Sequence, residues 1–388
     1  MNKKDVFIVD AVRTPTGKYL GEVSQFSATE LGAAAIRGLC ERQEIGEPDE
    51  VIMGNVVQAG VGQAPARQAA IGGGISASVP AVTLNQVCGA SLRSVVSAVQ
   101  AIQCDDAGAI IAGGMESMSN APHLIYGMRK GVKAGDQKIV DAMIHEGLWC
   151  AFEDHHMGMA AEYTAKKSCI TRKMQDEFAL SSHQKAIKAQ EYGAFDNEIV
   201  PLETKHGDII QDETPRPDTS LEKLSKLKPA FQPDGTVTAG NAPGLNDGAS
   251  ALLIMDEPTM KDRGLEPMAR IAGYAVAARE PIDLFYAPID STRMLMDQLN
   301  MNIHDFDLIE INEAFAAQTL ADGIELGWDW DHVNVHGGAI ALGHPLGASG
   351  TKILTTLLWA LQRHNKEWGM ASLCMGGGLG LSLAVQRV

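Results

Sequence analysis

The apolar positions of this chain fall into short continuous runs that alternate with runs of helical spacing. Val6 to Val9 is unbroken and reads as a buried strand. Ser27-x-x-Glu30 is a capping box, and the helix it opens carries Leu31, Ala35 and Leu39 on one face. Val51 to Val57 is strand-like, Pro65 suits the first residue of a short helix, and Val79 to Leu84 is the next strand. A helix follows with Leu92, Val95, Val96, Val99 and Ile102 at spacings of three and four, and Ala109 to Ala112 returns as a strand. Repeated βα units with apolar strands predict an α/β sheet covered on both faces. From about Met118 to Asp247 the texture turns polar, with one clear helical stretch at Lys173 to Tyr192, and this reads as an insertion reaching out of the core. Alternation resumes at Ala251 to Met255 and continues through Phe306 to Ile311 and a helix after Asn312. Gly89-Ala90-Ser91, a helix and the strand Ile110 to Gly114 are echoed by Gly347-Ala348-Ser349, a helix from Thr351 to Arg363 and Leu373 to Gly377. If that echo is structural, Cys88 and the turn at His344 sit at equivalent ends of two related halves.

With 388 residues the chain exceeds one simple core and is expected to form two halves plus the insertion. Its 45% apolar and 21% charged residues are those of an ordinary globular protein. A net charge of −16 argues against nucleic acid and against an anionic membrane as partner. A polyanionic ligand would then need a local basic patch, for which Arg216, Lys223, Lys226 and Lys228 are the candidates. The six cysteines show neither C-x-x-C nor a disulfide framework. The apolar run near the start is too short for a signal sequence, no run reaches the roughly 18 residues of a membrane span, and Gln386-Arg387-Val388 is no targeting or lipidation signal. A reducing, cytoplasmic setting is expected.

Candidate chemistry centres on two cysteines and a histidine set in glycine: Asn85-Gln86-Val87-Cys88-Gly89, Gly343-His344-Pro345, and Cys374-Met375-Gly376-Gly377-Gly378. A thiol just before a helix is expected to have a lowered pKa, because the helix N-terminus carries partial positive charge. Each residue also has a plainer reading. Cys88 could be a small buried hydrophobe, His344 a bonded core histidine, and Cys374 a strand end before a tight turn. Asn312 could be a helix N-cap. His155 and His156 are adjacent, a poor spacing for zinc. Gly-x-Gly here lacks the strand–helix setting of a dinucleotide fingerprint. Two thiols and an imidazole without metal-ligand spacing suggest covalent carbon–acyl chemistry.

The frames around Cys88, Asn312, His344 and Cys374, in that order, resemble the thiolase family. So do Val12-Arg13-Thr14-Pro15, Gly113-Gly114-Met115-Glu116-Ser117-Met118-Ser119, Thr238-Ala239-Gly240-Asn241 and Leu245-Asn246-Asp247-Gly248. Met118 to His123 is more similar to the short-chain, biosynthetic branch than to the long-chain degradative one. The resemblance covers essentially the whole chain. It implies a thiolase-like α/β fold of two similar layered βαβ halves with an inserted loop domain: residues 1–119 and 249–266, the insertion 120–248, and residues 267–388. It also implies a homotetramer, a dimer of dimers. The implied activity is reversible condensation of two acetyl-CoA to acetoacetyl-CoA plus CoA, with coenzyme A thioesters as substrates and neither cofactor nor metal. The alternative is a broader 3-ketoacyl-CoA thiolase of fatty acid β-oxidation.

Residue by residue, the resemblance makes Cys88 the acetylated nucleophile, His344 its activator and Cys374 the base for the second acetyl-CoA. Asn312 would position a water beside His344, and the N–H groups of Cys88 and Gly376 would form an oxyanion hole. Coenzyme A would be held by Leu148, His156, Met157, Arg216, Phe231, Ala239, Ala314 and Phe315, with Pro243 standing where the family commonly has a serine. Leu284-Phe285-Tyr286 brings bulk to the border of the acyl pocket and is expected to exclude long acyl tails.

Overall fold

A computed structural model describes residues 4–43 and 45–388. In the first half β1 (Val6–Arg13) leads to α1 (Ala28–Arg42), whose Ser27 and Glu30 form the expected capping box. Then come β2 (Glu50–Gly54), α2 (Pro65–Gly72), β3 (Ala81–Leu84), α3 (Ala90–Gln103) and β4 (Ala109–Ser117). Outside the sheet lie α4 (Met157–Lys167) and α5 (Arg172–Glu191). The chain rejoins it with β5 (Asn246–Asp256), followed by β6 (Ala269–Ala278), α6 (Ala287–Leu299), β7 (Leu308–Ile311) and α7 (Ala316–Leu326). It ends with α8 (Ser349–Arg363), β8 (Trp368–Met375) and β9 (Leu379–Arg387). Two strands are shorter than the apolar runs suggested. β2 stops at Gly54, because Asn55, Val56 and Val57 leave the ladder to wrap a buried carboxylate described below.

The ten-stranded sheet has the order β7-β8-β9-β6-β1-β5-β4-β2-β3, with the two-residue strand Gly17–Lys18 added beside β5. It is mixed rather than uniformly parallel. β1, β5 and β4 pair antiparallel and β2 runs parallel to β4; β6, β9 and β8 pair antiparallel and β7 runs parallel to β8. The same order and sense thus occur twice, and within the sheet the halves are joined where Phe7 and Ile8 pair with Arg270 and Ala269. The Gly-Ala-Ser echo is structural: α3 precedes β4 as α8 precedes β8, and the two helices touch, Thr351 N donating to Ser91 Oγ at 3.0 Å.

Packing follows from the alternation of side chains along each strand. Ile8, Ile110, Leu252, Leu373 and Leu383 turn inward onto α3 and α8, which form one central helical layer. Val9, Val51, Ile111 and Leu253 turn outward under α1 and α2, while Ile309, Met370 and Ala384 turn outward under α6. Helices and sheet therefore alternate from one side of the molecule to the other.

Residues 118–245 leave the sheet after β4 and contain, besides α4 and α5, two short two-stranded pairings and short helical turns such as Met143–Leu148 and Leu221–Ser225. A buried ion cluster pins this segment down: Arg13 donates to Glu198 Oε1 at 2.6 Å and to both oxygens of Asp212 at 2.7 and 2.9 Å. Removing one partner of such a buried pair typically costs about 3–5 kcal/mol. Among the described residues no helix is long and apolar enough to cross a membrane.

Candidate active site

The chain leaving β3 makes a tight turn before α3. Val87 sits at φ +49°, a left-handed conformation that a β-branched residue adopts only under constraint. Asn85 supplies that constraint, its Oδ1 accepting from Val87 N at 3.0 Å. Gly89 at the helix cap lets the opposite loop close in, since a Cβ there would lie 2.0 Å from Met375 Sδ. Cys88 between them is half-buried. Its thiol does not have the lowered pKa expected from the helix start. Burial pushes it up to about 12, while the N–H groups of Cys88 and Gly376 pull the other way. In an apolar recess the cost of desolvating a thiolate exceeds what the first turn of a helix returns.

His344 is fixed from several sides. Gly343, at φ +82°, has no room for a Cβ beside Thr16 and Asn246. His344 N donates to Asn246 Oδ1 at 2.8 Å, and Lys352 Nζ holds the Gly343 carbonyl at 3.2 Å. The Ser349 hydroxyl donates to Pro345 O at 2.8 Å and lies 2.5 Å from His344 Nδ1. With its hydrogen so committed, Ser349 Oγ accepts, Nδ1 carries the proton, and the Nε2 lone pair is left for chemistry. Burial, with Lys352 adding to it, lowers the imidazole to about 3, so it rests neutral.

Asn312 is not an N-cap, because α7 begins only at Ala316 with Phe315 in the cap position. Its N–H is tied to Ser372 O, its Nδ2 lies 3.4 Å from His344 Nε2, and its Oδ1 is buried with no partner among the described residues.

A cavity of about 250 Å³ collects most of the residues singled out in the sequence. Cys88, His344, Cys374 and Gly376 form its floor; Leu148, His156, Met157, Phe231, Pro243, Ala314 and Phe315 form its walls. His156 caps α4 through Nδ1 and stacks on Phe231 with ring centroids 4.8 Å apart. Cys374 is buried, and its thiol is raised by that burial and then by Cys88 and Asp322 nearby. Leu284 and Phe285 line the same cavity, but Tyr286 turns away and bonds Ser168 Oγ at 2.7 Å. The expected bulk of three side chains is therefore that of two.

Arg216 and Ala239 are elsewhere. They line an adjoining, more polar cavity of about 540 Å³, which shares Ala242, Gly244 and Leu245 with the first. The basic stretch is weaker than its sequence suggests. Lys223 pairs with Asp218 at 2.7 Å and Lys226 with Glu222 at 2.6 Å, so acidic neighbours cancel two of its four charges.

Comparison with known proteins agrees with this architecture. The model of the thiolase N-terminal domain matches residues 6–258 and that of the thiolase C-terminal domain matches 265–387. The chain belongs to the thiolase family. An acetyl-CoA acetyltransferase of Pseudomonas aeruginosa is 51% identical over 391 residues, covering 99% of this chain and all of the relative. One from Escherichia coli is 49% identical over 392 residues, with 99% and 100% covered. Among solved structures, human mitochondrial 3-ketoacyl-CoA thiolase in complex with CoA superposes with a TM-score of 0.97 at 39% identity, covering 99% of this chain and 98% of that one. Bacillus anthracis acetyl-CoA acetyltransferase gives 0.96 at 39%, covering 100% and 99%.

Several residues that shape this thiolase-family site escaped the reading of the sequence. Ser349 was visible only as part of the Gly-Ala-Ser echo, and Glu116 only inside the Gly113 to Ser119 motif. Asn246 was visible only inside the Leu245 to Gly248 motif and Lys352 carried no local signal, since their partners come together only through the fold.

Proposed function

We propose that this protein is an acetyl-CoA acetyltransferase, interconverting two acetyl-CoA with acetoacetyl-CoA and CoA through an acetyl-cysteine. The observation that carries this reading is the convergence of Cys88, His344, Cys374 and Gly376 on one apolar cavity. In the first half-reaction Cys88 Sγ attacks the acetyl carbonyl while its proton passes to His344 Nε2. CoA leaves as the thiol, taking that proton. In the second, Cys374 passes its thiol proton to His344 Nε2 and removes an α-proton from another acetyl-CoA, and the carbanion attacks acetyl-Cys88. The new carbon–carbon bond forms as the Cys88 thioester breaks, and the released Cys88 sulfur takes the proton from His344.

Both steps place negative charge on a thioester oxygen, and preorganised donors there are worth about 3–4 kcal/mol each. The N–H groups of Cys88 and Gly376, which already bear on the Cys88 sulfur, serve the acyl-enzyme. His344, while Nε2 carries the proton taken from Cys374, and Asn312 serve the enolate, and the unpartnered Asn312 Oδ1 suits it to hold a water. Resting thiol and imidazole are both neutral, so proton transfer accompanies attack rather than preceding it.

The apolar walls take the pantetheine arm, and Arg216 in the polar cavity meets the anionic nucleotide end. The small cavity closed by Leu284 and Phe285 favours acetoacetyl over longer substrates, and the names of the relatives at about half identity agree. The same reading includes a cytoplasmic homotetramer contributing to fatty acid metabolism, with the sequence-level division at residues 1–119 with 249–266, 120–248 and 267–388. Exposed Ile125, Tyr126, Met128 and Ile139 in the inserted segment support oligomer contacts there.

Incubation with acetyl-CoA followed by peptide mass mapping should place a labile acetyl group on Cys88. Cys374→Ala should still acetylate Cys88 but lose exchange of solvent deuterium into acetyl-CoA. Acetyl found on Cys374 with Cys88 unmodified would overturn the assignment.

A further inference from the structure

We infer that Glu116 is a positioning residue that sets the Cys88 turn and the His344 turn relative to each other. The inference rests on the reading above, in which those two side chains act together. Glu116 is fully buried at the end of β4, and no cation among the described residues pairs with it. Its oxygens instead accept from four donors. Oε2 takes Val56 N at 3.1 Å and Gly347 N at 3.0 Å; Oε1 takes Val57 N at 3.3 Å and Asn55 Nδ2 at 3.0 Å.

Two routes lead outward from this carboxylate. The first runs through Val56, whose carbonyl accepts from Asn85 Nδ2 at 3.3 Å, while Asn85 Oδ1 holds the strained Val87 beside Cys88. The second runs through Gly347, which lies between His344 and the Ser349 that fixes its ring. Gly347 has little freedom to settle elsewhere: a Cβ on Gly114 would fall 2.0 Å from its carbonyl oxygen and one on Gly54 at 2.8 Å. One side chain of the first half therefore ties together a nucleophile from that half and a base from the other. Desolvating a carboxylate without a counter-ion is costly, and burial raises Glu116 to about 7 although three backbone N–H groups pull it down. A group kept only to hold the fold has cheaper neutral substitutes.

Glu116→Gln keeps the shape but turns one acceptor into a donor. Whichever way the amide lies, it faces either Val56 N and Gly347 N or Val57 N and Asn55 Nδ2, so two of the four bonds become donor against donor. Asn85→Ala cuts the first route alone. In the full-length protein we would measure the rate of Cys88 acetylation by acetyl-CoA, and the dependence of that rate on acetyl-CoA concentration. Glu116→Gln should slow acetylation about tenfold or more at saturation with the half-saturating concentration little changed. Asn85→Ala should slow it less. The double variant should be less impaired than the product of the two single effects, because both act through Val56. Acetylation of Glu116→Gln within twofold of the parent, or single effects that multiply in the double variant, overturns the inference. A parent protein that never acetylates Cys88 overturns the functional reading, and this inference with it.

Discussion

Ser349→Ala tests how the imidazole is held. Ser349 Oγ is the only partner of His344 Nδ1 among the described residues, at 2.5 Å, and both side chains are buried. Deleting the hydroxyl leaves Nδ1–H without an acceptor and frees the ring to take the other tautomer, whose Nε2 proton would face the Asn312 amide donor. Leaving a buried donor unmade costs about 1–3 kcal/mol. The hydrogen bond strengthens as His344 becomes cationic during attack, so most of that loss falls on the transition state. At about 1.4 kcal/mol per decade, kcat should drop roughly 10- to 100-fold. The half-saturating concentration should stay near that of the parent, since Ser349 lies behind the ring and does not line the cavity. The assay is thiolysis of acetoacetyl-CoA by CoA, with acetylation of Cys88 followed in parallel. Folded Ser349→Ala turning over within twofold of the parent would refute the tautomer argument and leave His344 oriented by Asn246 and Pro345 alone.

Phe285→Ala should raise the ratio of kcat/KM for six- to eight-carbon 3-ketoacyl-CoAs over acetoacetyl-CoA by tenfold or more, since one methylene in an apolar pocket is worth about 10–200-fold. Tyr286→Phe, on a side chain turned toward Ser168, should leave that ratio unchanged. Arg216→Ala should raise KM for CoA several-fold with kcat intact, an effect that fades at high salt, whereas Lys223→Ala, already paired with Asp218, should do little. A large kcat defect in the Arg216 variant would remove Arg216 from the binding face.

The strands and helices were legible where apolar period and capping agreed. Ser27 with Glu30, Pro65, and the spacing from Leu92 to Ile102 mark elements that the structure contains at nearly those limits. The sheet's mixed sense was not legible, because an antiparallel strand buried on both faces shows the same unbroken apolar run as a parallel one. At the site, glycine flagged the turns correctly, since Gly89 and Gly343 stand where a Cβ has no room. Protonation was misjudged. Sequence shows that Cys88 precedes a helix but not how little water reaches it, and burial decides the sign. Charge in the 216–228 stretch was overestimated for the related reason that Asp218 and Glu222 lie within reach of its lysines.

The raised thiol of Cys88 has a cause that bears on the chemistry. Each half contributes a turn at the start of its own central helix, and the two helices meet in the layer between the halves. Cys88 and His344 are thus brought together where water is scarce and where neither half alone provides a complete cavity. Such a place costs the thiolate its stability at rest, which is why Cys88 lies so far from the value its helix would suggest. It also strengthens every fixed dipole aimed at the thioester oxygen, because donors act more strongly in a low dielectric than in water. The raised thiol and the effective oxyanion hole are two results of one burial. A variant that admits water at this seam, by enlarging Gly350 or Ser91 where the two helices touch, should lower the Cys88 pKa and the rate of turnover together.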